Sequence, residues 1–330
     1  KGFGRQKPIE YSFCEQRELV YAFYGVDMTK LQANICLLAA TFCWSIEVIL
    51  FKMIPDGVPS FAVICIVNLI AALVLGIVFW RKVWVGITKR MILDAFILAG
   101  LNATYNLLIL EFTKDVEAMQ AAFLLTMTTV LLPFVALLMG RKSERRTYIC
   151  ALVMFVGILI GYKETLTTQS VILFLCMLIP AGLRIIYIIR QNDAAKKYEP
   201  IQILVLMCAM MGGISFILWS IKQPGTFMML PLDGKLISGL FAYSYFVSIM
   251  AGLLNIVANR YTTPQNASVI YSFEILMTVI MAMTLPAVLG ERETLSIQTI
   301  VGCAVVTISA ILAEINFKKK TVRISMEAQR

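Results

Sequence analysis

Histidine is absent from all 330 residues. That excludes imidazole acid–base chemistry, histidine metal ligands and Ser-His or Cys-His nucleophile pairs. Charge is scarce as well: Asp, Glu, Lys and Arg make up 15% of the chain, where a soluble domain carries about a quarter. No GxxxxGK[ST] occurs, so nothing supports direct nucleotide drive, and no Asp-rich run offers a metal-dependent centre. The eight cysteines never form CxxC, and seven of them lie in apolar runs. A thiol there acts as a small buried hydrophobe, not as part of a disulfide frame or zinc site. Neither catalytic nor metal-binding residues are expected.

What is abundant is apolar surface. Apolar residues reach 59% and mean hydropathy is +0.82, more than one water-soluble core can hide. Lipid is the remaining place for it. A helix crossing the ~30 Å hydrocarbon layer needs roughly 20 apolar residues. Ten such runs are present, over 31–51, 60–79, 91–110, 118–139, 147–162, 170–189, 203–220, 236–257, 265–289 and 297–317. They are continuous, unlike the alternating ten-residue segments of a membrane barrel. The expected fold is an all-α polytopic membrane protein of about ten transmembrane helices. Residues 1–28 form an N-terminal segment without signal-peptide layout, in which Met28 is a candidate start, and 318–330 form a basic tail.

The net charge of +9 follows from orientation. With helices alternating in direction, one side holds the N-terminus, the 81–90 and 141–146 loops, the 190–202 loop, Arg260 and the tail, together 22 Lys and Arg. The other side holds 6, namely Lys52, Lys114, Lys163, Lys222, Lys235 and Arg292, with Arg184 inside a run. Cytoplasmic loops concentrate these residues. Both termini are therefore expected in the cytoplasm and the chain in the cell membrane, with the bilayer and not nucleic acid as its charged partner.

A weak repeat runs through the chain. Asn106, Phe112-Thr113 and Ala118 recur as Asn255, Tyr261-Thr262 and Ala267 at an offset of 149. Two five-helix halves, 29–162 and 163–317, must enter the membrane from opposite sides, because five is odd. That is an inverted repeat, an architecture of secondary transporters. The stretches 112–161 and 261–313, with the turn Leu289-Gly290-Glu291, Gly302 and Ser272-Phe273-Glu274, resemble EamA-type domains of the drug/metabolite transporter superfamily. Glu274-Ile275 stands where family members often carry Glu-Pro, and Arg141 follows Gly140 where an acid is common. The resemblance implies solute transport, with substrates ranging from amino acids to sugars and drugs.

A charge in hydrocarbon costs about 2.5–3.5 kcal/mol on insertion scales, so each one needs an account. Glu274 lies nine residues into the ninth run, roughly 14 Å deep at 1.5 Å per residue. It is a candidate for a substrate ammonium, coupling cation or proton, or else a structural carboxyl between helices. Arg184 either snorkels to the nearby edge or pairs with Glu274. Glu47, matched to Arg184 at an offset of 137, is placed by depth near the outer end of the first helix, out of Arg184's reach. Asn68, Asn102, Thr128, Tyr245 and Ser248 are polar candidates near mid-depth. Trp44, Phe246 and Tyr271 are candidate apolar walls. Interhelical hydrogen bonding is the competing role for each polar group. Pro180 and the pair Gly212-Gly213 are candidate helix interruptions and hinges, with Pro133 and Pro286 nearer the outer ends. The functional expectation is a permease for a small metabolite or drug-like solute, such as an amino acid, working by alternating access. It would need no cofactor beyond a coupling proton or cation. An intramembrane lipid-modifying enzyme and a non-transporting scaffold are the alternatives.

Overall fold

The computed structural model describes residues 28–314 except for 48–49, 51–53, 56, 114–117, 141–143, 163–167, 228–229, 231–232 and 285–295. The N-terminal segment before Met28, the basic tail, Pro286 and the 289–291 turn lie outside the described residues. Among those residues there are helices and no strands. The first five spans are α1 (Lys30–Ser45), α2 (Ser60–Val78) with a short α3 (Trp80–Val83) behind it, α4 (Lys89–Thr113), α5 (Ala118–Leu138) and α6 (Arg145–Gly161). The sixth span is split into α7 (Thr168–Cys176) and α8 (Leu178–Lys197), and the seventh is α9 (Pro200–Lys222). The eighth is composite: α10 (Gly234–Tyr243), a π-helix (Ser244–Ala251) and α11 (Gly252–Asn259). The ninth comprises α12 (Pro264–Tyr271) and α13 (Glu274–Thr284), and the tenth is α14 (Ile297–Glu314). Six of the ten are long and apolar enough to cross a membrane by themselves, including the composite sixth and eighth. The first, fifth, ninth and tenth have shorter described helices.

Local chemistry sets the ends. Thr29 and Gln32 form a reciprocal capping box at the start of α1. Asp233 and Thr263 accept N-terminal amides of α10 and α12. Pro200 and Pro264 occupy first helical positions, where the missing N–H costs nothing. Gly140 ends the α5 segment at φ 78°, a conformation that a side chain disfavours.

Contacts between distant loops confirm the alternation of direction. Lys197 pairs with Asp94 at 2.8 Å and Arg260 with Glu199 at 3.9 Å. Gln202 donates to the carbonyls of Lys82 and Val85, and Asn266 to Asn34. These bonds gather the ends richest in Lys and Arg on one side, called here the basic side.

Packing is symmetric between the halves. The fifth span packs on the tenth, the second on the seventh and the fourth on the ninth, each a pair of equivalents. The first packs on the eighth and ninth, and the sixth packs on the third and fourth, which is the same pairing with the halves exchanged. A two-fold relation between repeats produces this pattern. The fifth–tenth contact is close because glycines face each other. A Cβ on Gly302 would lie 2.5 Å from the Gly161 Cα and 2.8 Å from the Gly157 carbonyl oxygen. In lipid, where no water is expelled between helices, such small-residue packing supplies the association. The outward faces carry Leu31, Ile35, Leu73, Ile77, Leu152 and Ile179, all exposed, as a lipid-facing surface requires.

Three sequence expectations need correction here. The ninth run is not one helix. Ser272 N bonds Ser268 O and Val269 O, Phe273 N bonds Ile270 O, and α13 begins afresh at Glu274. Gly212-Gly213 do not interrupt the seventh span, since α9 runs unbroken from Pro200 to Lys222. Gly212 serves packing instead: a Cβ there would meet Leu69 at 2.7 Å on the facing α2. Pro133 likewise lies within a continuous α5. Pro180 does accompany a break, one turn earlier. Its ring excludes the bond to Cys176, four residues back, and that is where α7 ends.

Candidate functional site

Both broken spans, the sixth and the ninth, border a central cavity of about 120 Å³. Two segments supply its ionised core. Arg184, on the second turn of α8, places Nη2 3.2 Å from Oε2 of Glu274, the first residue of α13. Their side chains are 13% and 10% exposed. Arg184 therefore pairs and does not snorkel. The break at 272–273 puts Glu274 in the first turn of a helix, where the macrodipole favours a carboxylate. Desolvation of each charge is offset by the partner, which is the condition for keeping ions at this depth.

Trp44, Asn68, Asn102 and Tyr271 line the same cavity with Arg184 and Glu274, so six of the seven sequence-derived binding candidates meet there. Tyr245 does not. It is 52% exposed and packs edge-on against Phe246, itself exposed and no wall of the cavity. The cause is the π-helix at 244–251, whose i→i+5 ladder changes the facing positions. Tyr243, Val247, Ser248 and Gly252 face inward in place of an α-helical set. Thr128 is buried and borders a small adjoining space beyond the ion pair.

Glu47 lies on the cavity wall, contrary to the vestibule or snorkelled end expected of it, and accepts the Tyr243 hydroxyl at 2.5 Å. The cavity lining also follows the repeat. Trp44 and Glu47 line the cavity opposite Arg184 and Tyr187, and Ile64, Val67 and Asn68 opposite Leu204, Met207 and Cys208. Every one of these pairs is separated by 140 residues (184 − 44, 204 − 64), not by the 137 used to match Glu47 with Arg184. Equivalent positions of the two halves thus face one space.

Sequence reading missed the polar floor of the cavity. Gln191 donates to the Tyr187 hydroxyl at 2.6 Å and accepts from Asn255 at 3.0 Å. Asn255 accepts in turn from the Tyr271 hydroxyl and from Asn259. Asn192 donates to the Asn259 and Thr262 carbonyls at 2.8 and 3.1 Å, and Lys196 closes the series on Asn192. Asn102, bonded to Asn106 at 2.6 Å, joins it weakly at 3.5 Å through Tyr187. Gln191, Asn192, Asn255 and Asn259 are all buried. Hydrogen bonds thus tie the sixth span to the eighth between the cavity and the basic side. The signal available in the sequence was four amide side chains within or at the ends of apolar runs, where each demands a partner.

Comparisons with known proteins fit this architecture. Residues 31–163 match the EamA-like transporter family. A solved structure titled only "Crystal structure of protein" aligns with TM-score 0.66 at 16% identity, covering 87% of this chain and 97% of that one. That likeness speaks for the fold alone. No curated protein matches the chain.

Proposed function

We propose that this chain, an EamA-type membrane transporter by its first half, is a secondary carrier that moves a small solute by alternating access. The observation that carries the proposal is the central cavity lined by repeat-equivalent positions of both halves, with the Arg184–Glu274 pair at its edge. A solute held there contacts both repeats at once. Rocking of one half against the other then exposes it to each side in turn. The polar floor is the barrier that must part on the basic side, and the breaks at Met177 and at 272–273 supply places for the sixth and ninth spans to flex. Pro180 is the hinge candidate retained. Gly212 and Gly213 lie within the unbroken α9, and of the two Gly212 is tightly packed, against Leu69, so neither is retained in this reading. The membrane is proposed to be the cell membrane, with the basic side and both termini cytoplasmic. Export of a small amphipathic metabolite is the use most in keeping with the resemblance.

Flux in proteoliposomes tests the proposal. Purified protein is offered labelled amino acids, sugars and cationic amines, with and without an imposed proton gradient. Saturable flux of one class, lost in Glu274→Gln protein that still inserts, is expected. Flux that does not saturate, or normal gradient-coupled flux in that variant, removes Glu274 from the mechanism.

A further inference from the structure

We infer that the cavity selects a solute bearing one ammonium group and no carboxylate, with the ammonium seated at Glu47. The inference rests on the carrier reading for its biological meaning but concerns the site alone. Among the described residues lining the cavity there are two carboxylates, Glu47 and Glu274, and one cation, Arg184. Arg184 is engaged with Glu274 at 3.2 Å. Among the described residues Glu47 receives the Tyr243 hydroxyl, at 2.5 Å, a donor without charge. The site therefore carries one carboxylate in excess, in a setting where an unbalanced ion is expensive. A single organic cation cancels that excess. A zwitterion leaves it, and an anion doubles it.

The walls agree with the charge count. Trp44 stands three residues before Glu47, in the last turn of α1, which ends at Ser45, and both line the cavity. Tyr105, Tyr243 and Tyr271 line the space with them, and Trp44 meets Tyr271 edge-on at 5.4 Å between centroids. Aromatic rings around a carboxylate recognise an ammonium through its charge and its apolar flanks together. The cavity, about 120 Å³ of free space, admits a body of a single ring or short chain behind the amine. Asn68 and Ser248, also on the wall, are left for neutral polar groups of that body.

Titration calorimetry on the purified chain in detergent tests this with one scaffold in four charge states: phenethylamine, N-acetylphenethylamine, phenylalanine and 3-phenylpropionate. Phenethylamine is expected to bind on the order of ten- to a hundred-fold more tightly than the other three, the span of one charge-assisted contact. Glu47→Gln is expected to erase that preference. Phenylalanine binding as tightly as phenethylamine overturns the inference, as does binding of none of the four by folded protein. The wild-type series decides even where Glu47→Gln fails to fold, and an unchanged preference in folded Glu47→Gln protein overturns the assignment to Glu47. Because calorimetry reads binding and not flux, amine binding without transport removes the carrier reading and keeps this one. Flux of the zwitterion with equal binding of both does the reverse.

Discussion

Removing the guanidinium from the ion pair should cost more than removing the carboxylate. Arg184→Met leaves Glu274, with a side chain only 10% exposed, without its 3.2 Å partner, and it leaves Glu47 with no cation among the described lining residues. A buried ion stripped of its partner costs about 3–5 kcal/mol. Glu274→Gln leaves Arg184 facing a cavity that still contains the Glu47 carboxylate, so the loss shrinks toward a single charge-assisted hydrogen bond, about 1.5–3 kcal/mol. With both changes made, neither ion of the pair remains, and stability should return above that of Arg184→Met alone. The assay is denaturant unfolding in mixed micelles of the wild type, both single variants and the double. The account predicts a coupling energy of at least about 2 kcal/mol, because contacting residues are non-additive. Losses that add within about 0.5 kcal/mol, or a Glu274→Gln loss larger than that of Arg184→Met, would refute the reasoning. Transport should be lost in all three, which separates the role of the pair in flux from its part in stability.

Other positions give sharp contrasts. Gly302→Ala drives a methyl into the Gly161 backbone and should destabilise by about 1–3 kcal/mol or more in the same unfolding assay, whereas Gly182→Ala, with nothing within 4 Å, should not. Asn255→Leu strands partners on Gln191, Tyr271 and Asn259, and a loss of about 2–3 kcal/mol should appear on unfolding. Tyr245→Ala should leave proteoliposome flux within about two-fold of wild type, since its ring faces away from the cavity, whereas the loss of an average mutation's ~1 kcal/mol from a contact residue would already exceed that.

Ten helices were legible because hydrocarbon imposes a length and an apolar content that few other environments demand. The observed starts, such as Ser60, Pro200 and Pro264, fall within a few residues of the runs read from sequence. Depth arithmetic put Arg184 within reach of Glu274 but left snorkelling equally open, because a long side chain near a helix end can turn either way. Departures from ideal helix were not legible. The break before Glu274 contains neither Pro nor Gly. Its only local sign is Ser272, whose hydroxyl donates to the Val269 carbonyl at 2.6 Å in competition with the ladder. The π-helix leaves no compositional mark, yet its register change takes Tyr245 out of the site and brings Tyr243 in. Glu47 was placed by depth at the outer end of the first run, and depth along a run does not say that the side chain turns inward to the Tyr243 hydroxyl.

Side-resolved labelling of Cys208 tests alternating access most directly. This thiol lines the cavity with the repeat-equivalent Asn68, and the other cysteines can be replaced so that it alone reports. A membrane-impermeant maleimide is applied from each side of oriented vesicles, with and without a transported solute. The account predicts labelling from both sides, with solute shifting the balance between them. Active transport with Cys208 reachable from one side only, whatever the solute, would contradict it.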